Sequence, residues 1–77
     1  MGDTRTVAVQ FHEQQNLRFI YTNWRGETAE RRVEAWGIHF SATEYHPEPQ
    51  WILWAWDKDK KEMRRFAMRD MKDVRYE

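Results

Sequence analysis

Hydrophobic and polar residues alternate along much of the chain, which is the pattern of β-strands that bury one face. This alternation predicts strands over Leu17–Thr22, Thr28–Ala35, Gln50–Trp56 and Met63–Met68. The second strand meets Gly37, which marks a bulge or a break, and resumes through residues 38–40.

The segment before these strands is predicted to form a short helix from about Thr4 to Gln15. Asp3 is placed to cap it, and Val7 and Phe11 lie four residues apart on one helical face. Residues 7, 9 and 11 also alternate as they would in a strand. The polar run at residues 12–15 has no β-branched residue, and this favours the helix.

Turn and loop signals separate the predicted strands. Asn23–Glu27 is predicted to be a turn in which Gly26 takes a positive φ. Tyr45–Pro49 carries two prolines, which remove ladder donors, and is predicted to be a loop. Asp57–Lys61 reads as a polar hairpin turn, and Arg69–Val74 as one helical or 3₁₀ turn before a short last strand.

One short helix followed by about five antiparallel strands predicts a mainly β protein, with residues 1–77 forming a single domain. The expected architecture is a small β-barrel or a strongly curled sheet, since closure removes exposed strand edges. Aromatic residues make up 16% of the chain and supply large rings for a small core. The absence of cysteine and of a long apolar run predicts a cytoplasmic protein that is not in a membrane.

Candidate chemistry is sparse. Lys plus Arg number 13 and Asp plus Glu number 13, so net charge does not indicate a nucleic-acid partner. The three histidines have no metal-ligand spacing, and Ser41 lies in no nucleophile motif. Asp57 and Asp59 are interpreted as turn formers rather than as paired catalytic carboxylates. We therefore expect no enzyme, no metal and no cofactor.

An ordered set of short motifs runs through the predicted strands. The motifs are Phe19-Ile20-Tyr21, Gly26, Arg31-Arg32-Val33-Glu34, Trp51-Ile52-Leu53-Trp54-Ala55 and Arg64-Arg65-Phe66. In this order and spacing they resemble the WYL domain over about residues 16–74. The chain departs from the family pattern at Ile52, where tyrosine is usual, at Ala35, where proline is usual, and at Asp70, where arginine is usual.

The resemblance implies an Sm-like or SH3-like barrel preceded by a short helix. In bacterial transcriptional regulators this domain usually follows a winged-helix DNA-binding domain, and a chain that begins at Met1 leads us to expect a stand-alone barrel. The family implies ligand sensing, with nucleotides or single-stranded nucleic acid as the favoured ligands. Carried over position by position, the ligand face would be lined by Tyr21, Arg32, Trp51 and Arg64.

The arginines have two interpretations. The first is a rim that binds phosphate beside a stacked base, formed by Arg32, Arg64, Arg65 and Arg69. The second is ordinary cross-strand pairing of Arg32 or Arg64 with the glutamates at positions 30, 34 and 62.

The tryptophans divide by strand alternation. Trp51 shares a face with Leu53 and Ala55, which is interpreted as core, with Trp51 also reaching the ligand rim. Trp54 and Trp56 point the other way, and the predicted N-terminal helix either covers them or leaves them exposed.

Exposure of these rings would support an alternative function. The chain would then be a protein-interaction or self-association module that uses Trp54, Trp56 and the turn residue Trp24. Its partner would be a second copy of the chain or a regulator protein.

Overall fold

The computed structural model describes residues 7–42 and 47–77, which form one antiparallel sheet of five strands. The strands are β1 (Val7–Thr22), β2 (Thr28–Ser41), β3 (Gln50–Asp57), β4 (Glu62–Ala67) and β5 (Met71–Tyr76), and a 3₁₀ turn spans Met68–Asp70. The spatial order is β4-β3-β2-β1-β5. The prediction of about five antiparallel strands is confirmed. The predicted closed barrel is wrong, because no ladder joins β4 to β5 among the residues described.

The sheet curls strongly although it stays open. Phe66 of β4 meets Phe19 and Tyr21 of β1 edge to face, with ring centroids 5.3 and 5.0 Å apart. Two strands separate β4 from β1 in the sheet, so these rings touch only because the sheet bends around them. We call the concave side that carries these rings the inner face and the opposite side the outer face.

The core lies on the inner face. Its buried members are Phe19, Tyr21, Val33, Ala35, Leu53, Ala55 and Phe66. Within each strand these residues are spaced by two, as strand alternation requires. Burial of each large apolar side chain contributes about 1.5–3 kcal/mol, so a few rings can hold this small domain together.

The predicted N-terminal helix is wrong over the described residues. Val7–Gln15 belong to β1, and residues 4–6 of the predicted helix lie outside the described part of the chain. Val7–Gln10 pair with residues 37–40 of β2, so backbone groups on both segments are satisfied in a ladder. The β-branched residues Val7 and Val9 suit that strand.

A bulge in β1 accommodates the polar run that favoured a helix. Gln10 pairs with Gly37 and Gln15 pairs with Ala35, so residues 11–14 lie opposite Trp36 alone. The extra residues let β1 change direction while pairing continues on both sides.

Two glycines occupy positions that other residues fit poorly. A Cβ on Gly37 would lie 2.5 Å from the backbone oxygen of Val9, so only glycine permits this approach of β1 to β2. Gly26 has a φ of 81° in the β1–β2 turn, where Asn23 Oδ1 accepts two backbone N–H bonds. The bulge predicted at Gly37 and the turn predicted at Gly26 are both confirmed.

The remaining connections follow their sequence signals. Pro47–Pro49 lie outside any strand, and the first part of the predicted Tyr45–Pro49 loop lies outside the described residues. The β3–β4 turn falls between Asp57 and Glu62 as predicted. A single 3₁₀ turn and a short last strand are present as predicted, but the turn is shorter than Arg69–Val74, because residues 71–74 already belong to β5.

Candidate ligand-binding face

Two arginines and a buried aspartate form a cluster on the inner face. Asp57 ends β3 and pairs with Val33, while Arg64 of β4 pairs with Ala55. Arg31 lies two residues before Val33 on the same side of β2. The register therefore brings Arg31, Asp57 and Arg64 together beside the core.

The Asp57 carboxylate is fully buried, and its two oxygens have different surroundings. Oδ1 accepts the backbone N–H groups of Asp59 and Lys60, each at 3.0 Å, and so fixes the β3–β4 turn. Oδ2 lies 3.8 Å from Arg31 Nη1 and 4.0 Å from Arg64 Nε, beyond hydrogen-bond distance. Asp57 is thus a turn former, as predicted, and also the counter-charge of two arginines.

The cluster is incomplete in its hydrogen bonding. Arg31 Nε and Asp57 Oδ2 are both buried and have no hydrogen-bond partner among the residues that the structure describes. Two guanidinium groups face one buried carboxylate, and the other acid near Arg64 is Glu62, an exposed residue that accepts a bond at 3.2 Å. Buried polar groups in proteins are nearly always paired, and here two guanidinium groups share one buried carboxylate, which leaves the inner side of the cluster with more positive than negative charge.

The two arginines differ in accessibility. The side chain of Arg31 is 13% exposed and that of Arg64 is 35% exposed. Arg64 can therefore meet a molecule from solvent, with Arg31 behind it. A guanidinium group presents a planar fork of donors that matches phosphate and carboxylate oxygens.

Tyr21 lies beneath this cluster rather than on its rim. Its hydroxyl accepts the backbone N–H of Ala67 at 3.0 Å, which ties β1 to the end of β4. Burial raises the pKa of the Tyr21 phenol, while the bond from Ala67 and the charges of Arg31 and Arg64 act in the opposite direction. Tyr21 is therefore a buried support for the site.

Arg32 lies on the outer face, away from Arg64. Its Nε donates to Glu77 Oε2 at 2.7 Å, and Lys58 Nζ donates to Glu77 Oε1 at 2.9 Å. These two bonds lower the pKa of Glu77 to about 2, and the bond to Glu77 raises the pKa of Arg32. Asp59 adds a second carboxylate 3.7 Å from Arg32.

The ion-pair interpretation of the arginines holds in part. Arg64 does bond Glu62, but Arg32 has Glu77 and Asp59 as its partners instead of the predicted glutamates. Arg69 lies exposed in the 3₁₀ turn.

Trp51 lies on the inner face at the other end of β3. It is 41% exposed and packs edge to face on Phe40 at 5.4 Å, so its predicted place in the core is wrong. Leu53 and Ala55 are buried as predicted. Arg64 pairs with Ala55, which is four residues after Trp51 in β3. Trp51 therefore lies about 13 Å from the Arg64 position, measured along the strand.

Of the four residues that the family pattern placed on the ligand face, the structure brings Trp51 and Arg64 to one open face. Sequence reasoning missed Arg31, although a signal was present. Val33 and Ala35 face inward, so alternation alone turns Arg31 inward and Arg32 outward. The same alternation places Asp57 on the side of Leu53 and Ala55, but the predicted strand stopped at Trp56 and acidic residues are rarely fully buried, so its burial was not predicted.

The three predicted interaction tryptophans occupy two places. Trp54 and Trp56 lie on the outer face, 41% and 38% exposed, and the described part of the segment predicted as a helix, which would have covered them or left them exposed, is a strand. Ile52, on the same side of β3, is buried at 1%. Trp24 is in the β1–β2 turn, 58% exposed, with the Arg25 guanidinium 5.3 Å from its ring centroid.

Other kinds of site find little support in the described ranges. Residues 7–42 and 47–77 contain no group of three or more acidic or histidine side chains that could hold a metal ion. No helix in that part of the chain is long and apolar enough to cross a membrane.

The fold and this face together define a class: a small, curled antiparallel β domain with paired arginines on its concave side. The family model of the WYL domain matches residues 4–76, and the chain therefore belongs to the WYL domain family. WYL domains are generally ligand-sensing regulatory modules of bacterial regulators. Comparison with curated proteins and with solved structures gives no match.

Proposed function

We propose that this WYL domain is a non-enzymatic sensing module for a phosphate-bearing ligand, either a nucleotide or a short single-stranded nucleic acid. The ligand contacts Arg64 and Arg31 on the inner face through its phosphate. The observation that carries the proposal is the incomplete Arg31–Asp57–Arg64 cluster, in which two guanidinium groups share one buried carboxylate without a hydrogen bond to Oδ2.

The exposed aromatic pair at the other end of the face supports a ligand that is longer than a phosphate. Phe40 and Trp51 are each about two-fifths exposed and lie on the same side of the sheet as Arg64. A base stacked on such a ring contributes about 1–3 kcal/mol. The separation of about 13 Å between Trp51 and the Arg64 row exceeds one nucleotide step in an extended strand, which favours a ligand of at least two nucleotides.

Titration with labelled short single-stranded DNA and RNA, and with mononucleotides, at low and moderate salt tests the proposal. We expect binding that weakens steeply with salt, because phosphate contacts release counterions. Arg64→Ala should reduce affinity at least tenfold, while Arg64→Lys should retain part of it.

Arg32→Ala is the matched control, since Arg32 is an exposed arginine on the outer face. It should bind as the wild type does. Absence of binding at low salt, or equal affinity in Arg64→Ala and the wild type, would rule out the proposal. Loss of binding in Arg32→Ala alone would move the site to the outer face.

A further inference from the structure

The outer face of β2, β3 and β4 carries an apolar cluster that no helix within residues 7–42 and 47–77 covers. Its centre is formed by Trp54, Trp56 and Met63, which are 41%, 38% and 37% exposed. Trp36, half-buried, supports them with its ring centroid 6.4 Å from that of Trp54. We call these four residues the tryptophan patch. Aromatic rings and methionine are enriched at the centres of protein interfaces.

Two charges of opposite sign flank the tryptophan patch at opposite corners. Glu34 of β2 pairs with Trp56, and Arg65 of β4 pairs with Trp54, so each charge lies beside one of the two exposed rings. Neither Glu34 nor Arg65 forms a salt bridge with any residue that the structure describes. Both charges are therefore available to a partner.

We propose that the tryptophan patch is a self-association surface that pairs with a second copy of the chain. The symmetry axis of this pair is a two-fold axis in the plane of the interface, perpendicular to the line from Glu34 to Arg65. Rotation about this axis places each Glu34 opposite the Arg65 of the other copy. The same rotation places the apolar centres of both copies against each other. A surface with an apolar centre and opposite charges at its two corners is self-complementary under this symmetry.

The size of the surface sets the strength of the association. Stable interfaces bury roughly 800 Å² per partner, and most of their affinity comes from a few central aromatic and arginine side chains. Three partly exposed apolar side chains and two ion pairs form a small interface, so we expect a dissociation constant on the order of tens of micromolar. The inference does not depend on the proposed ligand site, which lies on the inner face.

Sedimentation velocity over a concentration series tests the proposal. The wild-type chain should change from monomer to dimer, and Trp54→Ala or Trp56→Ala should weaken dimerisation at least tenfold. Both tryptophans are partly exposed, and thermal unfolding of each variant verifies that it is folded. Trp24→Ala is the matched control and should dimerise as the wild type does. Trp24 lies in the turn before β2, and the start of β2 is six residues, or about 20 Å, from Glu34.

A charge-reversal experiment identifies the second copy as the partner. Glu34→Arg and Arg65→Glu should each be monomeric alone, since every contact would join like charges. An equimolar mixture of the two variants should form a heterodimer with close to wild-type affinity, because both contacts then join opposite charges. A wild-type chain that stays monomeric at high concentration, or a mixture that associates no better than its components, overturns the proposal.

Discussion

The two faces of β3 differ in the size and in the solvent exposure of their side chains. On the inner face, Leu53 and Ala55 are buried at 2% and 0%, although one of them is the smallest side chain after glycine. On the outer face, Trp54 and Trp56 are the largest side chains available and remain about two-fifths exposed. Hydrophobicity alone would place the tryptophans inside, so curvature must decide this distribution.

A curled sheet has less room on its concave side than on its convex side. Ala35 and Ala55 pair directly across β2 and β3, both at 0% exposure, in the core that also contains Phe19 and Phe66. A ring at either alanine position would add a large side chain to a fully buried part of the core. Large residues are not confined to the convex side, since Trp51 lies on the inner face at the open end of β3 and Ile52 is buried on the outer face.

The largest test of this comparison removes one ring from each face. Phe66→Ala should reduce the free energy of unfolding by about 3–5 kcal/mol, because Phe66 is 1% exposed and contacts both Phe19 and Tyr21. Trp54→Ala, measured at a protein concentration too low for association, should lower it by less than about 1 kcal/mol. Urea unfolding of both variants measures the difference, and equal losses would contradict the comparison.

The second test adds volume instead of removing it. Ala55→Leu should destabilise the fold by about 1–3 kcal/mol, since the inner face has no space for three more carbon atoms. Ala29→Leu is the control, because Ala29 is exposed on β2, and it should change stability by less than about 0.5 kcal/mol. A neutral Ala55→Leu would show that the concave side is not crowded.

The third test concerns the polar contact that crosses the inner face. Tyr21→Phe removes the acceptor of the Ala67 N–H and leaves that buried donor unpaired, so stability should fall by about 1–2 kcal/mol. Tyr76→Phe should have no effect, because Tyr76 is 77% exposed. Thermal unfolding with both variants side by side separates the lost bond from a general effect of the hydroxyl.

The smallest effect is expected from Glu77, whose partner Arg32 is on the outer face. Its pKa is about 2 in the folded chain against 4.5 as the ordinary value, so its contribution is complete above about pH 4.5 and is lost as pH falls toward 2. Glu77→Gln should lower the melting temperature slightly near pH 7, and the difference should vanish near pH 2.

Glu13→Gln provides the control for that pH series, because Glu13 is exposed and forms no salt bridge with a described residue. It should follow the wild type throughout. The melting temperature of Glu77→Gln is compared with that of the wild type at each pH. A melting-temperature curve parallel to the wild-type curve down to pH 2 would show that the bonds of Glu77 add nothing to stability.

Most of the sheet could be predicted because alternation is a local property. Alternation predicts that Leu17, Phe19 and Tyr21 share one face of the sheet, and they do. Gly26 indicates its turn because glycine readily adopts a positive φ. The N-terminal half of β1 could not be predicted in this way. Residues 11–14, three of which belong to the polar run, lie in a bulge opposite Trp36, and only the distant strand β2 makes that segment extended.

The candidate site was predictable only in part for a similar reason. Arg64 follows from its family motif, and alternation places Arg31 beside it. The partner of both is Asp57, which reads locally as a turn residue and is drawn into the interior by the curl of the sheet. Long-range pairs such as Arg32 with Glu77 leave no local pattern at all.

The open seam between β4 and β5 has a mechanical consequence. Where a closed barrel would resist widening with a full ladder of backbone bonds, this sheet is fastened across its concave side by ring contacts and by the bond between Tyr21 and Ala67. The curl can therefore loosen or tighten by small rearrangements of side chains, while every strand pair stays intact. We therefore expect that a change in the curl would alter the width of the inner face that presents Arg64.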